Sequence, residues 1–188
     1  MRRWNGSEGC STIGERHAGP AATGYIRTIV RRRPGVCLTF TRWSAIVTTS
    51  NAEATWEGGL KTGKGSFRAE SGAFESSYSF SSRFESTRGS SPEELIAAAH
   101  AACISMALSG GLEQAGTPPT RITTKAACTV EKAADGFRIT RMRLVLRGVV
   151  PGVNQSAFKA AAEAALNGCP VSNALKNNVA VELDAALE

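Results

Sequence analysis

From Pro92 to Leu108 the chain reads as one helix with no polar face: Pro92-Glu93-Glu94-Leu95-Ile96-Ala97-Ala98-Ala99-His100-Ala101-Ala102-Cys103-Ile104-Ser105-Met106-Ala107-Leu108. Its start is explicit. Ser91 suits the N-cap, Pro92 the first helical position, and Glu94 falls three residues after the cap, where it can close a capping box. Gly110-Gly111 predict that the helix weakens there. Near its middle stands a thiol, Cys103, with His100 three residues earlier on the same face.

Further elements are legible on both sides. Ala54-Thr55-Trp56-Glu57-Gly58-Gly59 and Gly65-Ser66-Phe67-Arg68-Ala69-Glu70 read as short strands with glycine turns. Ser77 to Phe84 is a serine-rich stretch with no clear period. Ile122 to Glu131 and Phe137 to Val149 form a β-hairpin around Asp135-Gly136, although the alternation in the second strand is imperfect. Ser156 to Leu166 is a second helix, with Gly168 at its C′ position. Val179, Val181 and Leu183 alternate as a last strand. The order strands, helix, strands, helix, strand gives an α+β domain.

The 188 residues suit one domain with a tail, and charge marks the boundary. Residues 1–50 hold eight Arg, no Lys and two acidic residues, 8 − 2 = +6, the whole net charge of the chain. The remainder holds 14 basic and 14 acidic residues. Residues 1–51 are thus expected to be an Arg-rich extension, disordered or read from too early a start, with the natural chain beginning near Val47; residues 52–188 form the domain. The competing reading of the extension is an arm for nucleic acid or targeting. Met1-Arg2-Arg3 is not followed by the apolar core of a secretory signal, and no run of about 18 apolar residues suggests a membrane span.

Five cysteines without a signal point to a cytosolic protein with reduced thiols. On local grounds Cys103 reads as a small core residue, inert unless a cation lowers its pKa. Cys169, in Asn167-Gly168-Cys169-Pro170-Val171-Ser172-Asn173-Ala174-Leu175, would cap a short helix starting at Pro170, where the helix dipole favours a thiolate. It could equally be a half-buried turn residue. Cys128 reads as packing in its strand, and Cys10 and Cys37 carry no role. His100, Cys103 and Cys169 would make a poor metal site, lacking a fourth ligand and close ligand pairs. His100 is expected to pack and hydrogen-bond within the helix layer. No metal or cofactor is expected.

The stretches Arg83-Phe84-Glu85, Ser91-Pro92-Glu93-Glu94-Leu95-Ile96, Ala98-Ala99-His100-Ala101-Ala102-Cys103, Ser105-Met106-Ala107-Leu108 and Gly168-Cys169-Pro170-Val171-Ser172 occur in the order of a known family. From Trp56-Glu57-Gly58 to the C-terminus the chain resembles the OsmC/Ohr proteins, osmotically inducible and organic-hydroperoxide-resistance thiol peroxidases. The wording is closer to the OsmC branch.

The resemblance implies an OsmC-like fold of antiparallel sheets and two main helices, assembled as an intertwined homodimer. It also implies four roles. Cys103 is the peroxidatic cysteine, oxidised to a sulfenic acid; Cys169 resolves it as a disulfide; Arg83 holds the thiolate; Glu93 pairs with Arg83. The implied substrate is an organic hydroperoxide, with hydrogen peroxide a poorer one. The implied reductant is a dithiol such as a lipoyl protein. One constraint is independent of the resemblance. Glu93 and Cys103 are separated by ten residues, roughly 15 Å along a straight helix, so a shared site most simply draws one of them from a second chain. The alternatives are a nucleic-acid-binding protein using the basic arm, or a non-catalytic protein of this fold.

Overall fold

A small sheet opens the domain in the computed structural model, which describes residues 47–85 and 87–188. Most of the Arg-rich extension, residues 1–46 with Cys10 and Cys37, lies outside the described residues, so its reading as an arm or tail is not addressed by the fold. Strands β1 (Ala52–Glu57), β2 (Lys64–Ala69) and β3 (Glu75–Tyr78) pair antiparallel in that order. The first two fall where the glycine-bounded aromatic segments predicted them; β3 lies in the stretch without a period. The rings of Trp56 and Tyr78 meet at 5.4 Å across the sheet. Gly65 makes this possible, because a Cβ there would come within 2.4 Å of the Tyr78 ring.

A five-residue helix follows, α1 (Phe80–Phe84), which the sequence reading also missed. Its serines explain it: Ser79 Oγ accepts from the Ser82 N–H and Ser82 Oγ from the Ser79 N–H, a reciprocal cap. The Ser82 hydroxyl also lies 2.9 Å from the Ser90 carbonyl, tying α1 to the start of the next helix.

That helix, α2 (Pro92–Gln114), starts where expected and runs past Gly110-Gly111. Leu112, buried on the far side of the glycine pair, anchors the extra turn and overrides the glycine penalty. Ser91 Oγ accepts from the Glu94 N–H, but the Glu94 carboxylate takes the Ser90 hydroxyl, so only half of the predicted capping box forms. Glu93, Ala97, His100, Ile104, Leu108 and Leu112 make a buried stripe. By length and composition alone α2 is long and apolar enough to cross a membrane. In this fold it is the central core helix, packed against the second sheet and the two later helices.

The second sheet has the order β4 (Arg121–Ala133), β5 (Gly136–Val149), β6 (Ala180–Leu187). β4 and β5 pair antiparallel, and β6 joins β5 in parallel. Thr129 pairs with Arg141 and Val130 with Ile139, so Thr140 is an extra residue. This bulge reverses the phase of β5 and accounts for its imperfect alternation. Beyond it Met142, Leu144 and Leu146 all face inward and are fully buried. They pack with the α2 stripe and with Phe158, Ala162 and Ala165 of α3 (Gln155–Gly168). Burying a side chain such as Phe158 contributes about 1.5–3 kcal/mol. α4 (Pro170–Leu175) follows α3 directly.

Candidate active site

Cys169 is at once the last cap of α3 and the first cap of α4. Gly168, expected beyond the helix, is therefore the final residue of α3. Pro170 starts a new helix because its fixed φ suits the first helical position and its missing N–H leaves nothing unsatisfied there. The Cys169 sulfur accepts the Ser172 N–H at 3.5 Å, as an N-cap should. The residue is wholly buried.

α4 packs on α2, and this contact brings the two sequence-selected cysteines together. The Cys103 and Cys169 thiols lie close enough to act on each other's ionisation. Both are free thiols; Cys103 is partly exposed and Cys169 is not. Burial pushes the Cys103 thiol up, and its bond to Cys169 adds to the rise. Burial also opposes ionisation of Cys169. Hydrogen bonds from Cys103, from the Ser172 N–H and hydroxyl, and from the Val171 backbone outweigh it and leave that thiol lowered.

The other two predicted residues form a separate pair. Arg83, in the last turn of α1, meets the buried Glu93 with Nε 3.1 Å from both carboxylate oxygens and Nη2 2.5 Å from Oε1. Such a forked, charge-assisted contact fixes the guanidinium plane. The Arg83 guanidinium also lies 4.9 Å over the Phe84 ring, which packs with Phe80 at 5.0 Å and stacks on Phe137 at 4.7 Å. Sequence reasoning missed this aromatic group, whose members come from α1 and the tip of the β4–β5 hairpin. Within a single chain the structure does not join the Arg83–Glu93 pair to Cys103. Glu93 and Cys103 sit at opposite ends of about 15 Å of helix.

Two further residues border the thiols. His100 is fully buried and its Nε2 lies 2.8 Å from Ser172 Oγ, so it bridges α2 to α4 rather than acting alone. Burial lowers its pKa and keeps the ring neutral. The role of Ser172 was available in the sequence, since it stands three residues after the N-cap cysteine, at the position whose N–H an N-cap side chain takes.

A partly exposed thiol beside a buried one, on an α+β scaffold, is the arrangement of the two-cysteine redox class. A model of one family, described as OsmC-like protein, matches residues 85–184. The peroxiredoxins OsmC of Escherichia coli (strain K12) and of Shigella flexneri are each 46% identical over 131 residues, 69% of this chain and 92% of theirs. An organic hydroperoxide resistance protein from Elizabethkingia anophelis superposes with a TM-score of 0.63 at 25% identity, covering 77% of this chain and 100% of that one. The fold also matches the organic hydroperoxide resistance protein OhrB of Bacillus subtilis, with a TM-score of 0.59 at 24% identity over 72% of this chain and 97% of that one. The chain belongs to the OsmC family. It is an enzyme of the peroxiredoxin kind, a thiol peroxidase.

Proposed function

We propose that this chain reduces organic hydroperoxides with Cys103 as the attacking thiol and Cys169 as the resolving one. The contact between a partly exposed Cys103 and a buried Cys169 carries this reading. The Cys103 thiolate attacks the distal peroxide oxygen, the O–O bond breaks, and the alcohol leaves with a proton. Cys103 is then a sulfenic acid. The Cys169 thiolate attacks that sulfur, an S–S bond forms, the S–O bond breaks, and hydroxide leaves as water after taking a proton. A dithiol reductant, for which a lipoyl protein is the natural class, restores both thiols and is itself oxidised to a disulfide. A cycle that returns to free thiols suits the reducing cytoplasm.

The site is completed by a second copy of the chain. A peroxidatic thiol needs a cation to become a thiolate, yet burial and the Cys169 thiol leave Cys103 raised. Arg83, in α1 and forked to Glu93, is a guanidinium held ready at the start of the helix whose middle carries Cys103. An antiparallel pairing of two α2 helices would set the Arg83–Glu93 end of one copy against Cys103 of the other. Two features support an unfilled interface. Met106, one turn past Cys103, is 75% exposed, and the small sheet packs on little of its own chain. In that arrangement Phe80, Phe84 and Phe137 would offer an apolar wall beside the arginine, favouring an alkyl peroxide over hydrogen peroxide. The test is turnover with an alkyl hydroperoxide, comparing dithiol and monothiol reductants. Efficient turnover with the dithiol supports the reading; no peroxide consumption with any thiol would leave only a non-catalytic protein of this fold.

A further inference from the structure

His100 is buried among apolar side chains at the centre of the fold, and no step above uses it. Its Nε2 meets Ser172 Oγ at 2.8 Å, while Nδ1 is buried with no hydrogen-bond partner among the described residues. A buried N–H without a partner is rarer and costlier than a bare lone pair. The single proton of the neutral ring therefore belongs on Nε2, which donates to Ser172 Oγ. Ser172 in turn gives its backbone N–H to the Cys169 sulfur at 3.5 Å. The chain of donors runs from His100 through Ser172 to the Cys169 sulfur. Its two ends sit on the helices that carry the two thiols.

We propose that His100 and Ser172 are positioning residues for Cys169: their hydrogen bond locks α4 onto α2 so that the sulfur faces Cys103, and it holds the Ser172 N–H on that sulfur while it carries negative charge. This rests on the assignment of Cys169 as the resolving thiol. The charge is present twice in the cycle, when Cys169 attacks the sulfenic acid and when it leaves as the disulfide is reduced. The titratable groups that meet this sulfur are the Cys103 thiol directly and the His100 ring through Ser172. A neutral His100 delivers a hydrogen bond without adding a charge that would compete for the thiolate. The peroxide-consuming step at Cys103 needs neither residue.

The experiment separates the two chemical steps in the full chain. Reduced protein is mixed with one equivalent of alkyl hydroperoxide, and Cys103 oxidation and disulfide closure are followed separately by quenched mass spectrometry. Ser172→Ala should leave Cys103 oxidation unchanged, slow closure by about tenfold or more through loss of the His100 anchor that aims the sulfur, and expose Cys103 to over-oxidation. Ser172→Thr keeps the hydroxyl and should close at the parent rate. His100→Leu should behave as Ser172→Ala. In a Cys103→Ser background, adding Ser172→Ala should move the thiolate absorbance of Cys169 to higher pH. Unchanged closure and an unchanged titration in Ser172→Ala would overturn the proposal, as would an equal loss in Ser172→Thr, which would mark a purely structural role. If Cys103 is not the residue first oxidised, the role assignment fails and the proposal with it. Normal oxidation of Cys103 with indifferent closure overturns the positioning role alone.

Discussion

Arg83 grips Glu93 through both Nε and Nη2, with the shortest contact at 2.5 Å, at the end of α2 remote from Cys103. The position of Arg83 is fixed because α1 is capped by its own serines and tied to Ser90. We propose that the pair supplies an oriented cation to the Cys103 site of a second copy.

If that cation serves Cys103 across two copies, Arg83→Lys keeps the charge but loses the fork, and Arg83→Ala loses both. Alkyl peroxide turnover should fall by about tenfold or more in the first and further in the second, since hydrogen bonds to charged groups are worth about 1.5–3 kcal/mol. The pKa of Cys103 should rise in Arg83→Ala, read from the pH dependence of its alkylation. An unchanged thiol titration would remove Arg83 from the site.

His100 makes stability depend on pH. In the unfolded chain a histidine takes up a proton as pH falls through about 6.5. The buried ring resists it, since burial lowers its pKa. Below about 6.5 the unfolded state therefore binds more protons, and stability present at neutral pH is lost as pH falls toward the folded value, with a slope of at most about 1.4 kcal/mol per pH unit for one proton. Urea melts between neutral and mildly acid pH should show this slope in the parent and a flatter one in His100→Gln. Parallel curves would contradict it.

Local chemistry decided what could be read in advance. The start of α2 was legible because Ser91, Pro92 and the two glutamates each have a positional meaning at a helix N-terminus. Its end was not, since the burial of Leu112 settles it and burial is a tertiary fact. α1 was hidden because Ser79 and Ser82 favour caps and loops alike, and only their reciprocal bonds decide. The bulge at Thr140 was visible only as a broken alternation. The parallel docking of β6 leaves no trace in its own eight residues. For the site, the cap at Cys169 could be derived from Pro170, whereas the meeting of Cys103 with Cys169 came from the family resemblance alone. Ser172 and His100 escaped as a pair because they are 72 residues apart.

We also propose that residues 1–46 are dispensable to the domain. The buried core is built from residues of α2 and the elements after it, and Val47, the first described residue, is 84% exposed. A chain starting at Val47 should match the full chain in melting temperature and peroxide turnover, because the described core is built without residues 1–46. A fall of several degrees, or loss of a dimer in sedimentation, would show that the first residues pack on the domain.

The most direct measurement follows the first oxidised sulfur. Cys169→Ser protein, fully reduced, is treated with one equivalent of an alkyl hydroperoxide in the presence of a sulfenic-acid trap, and the trapped peptide is identified by mass spectrometry. The account predicts a single adduct on Cys103, one turnover only, and sulfinic acid at Cys103 when the trap is omitted and more peroxide is added. In the parent protein the same treatment should give a Cys103–Cys169 disulfide. An adduct on Cys128, or sustained peroxide reduction in Cys103→Ser, would contradict the assignment of Cys103 as the attacking thiol.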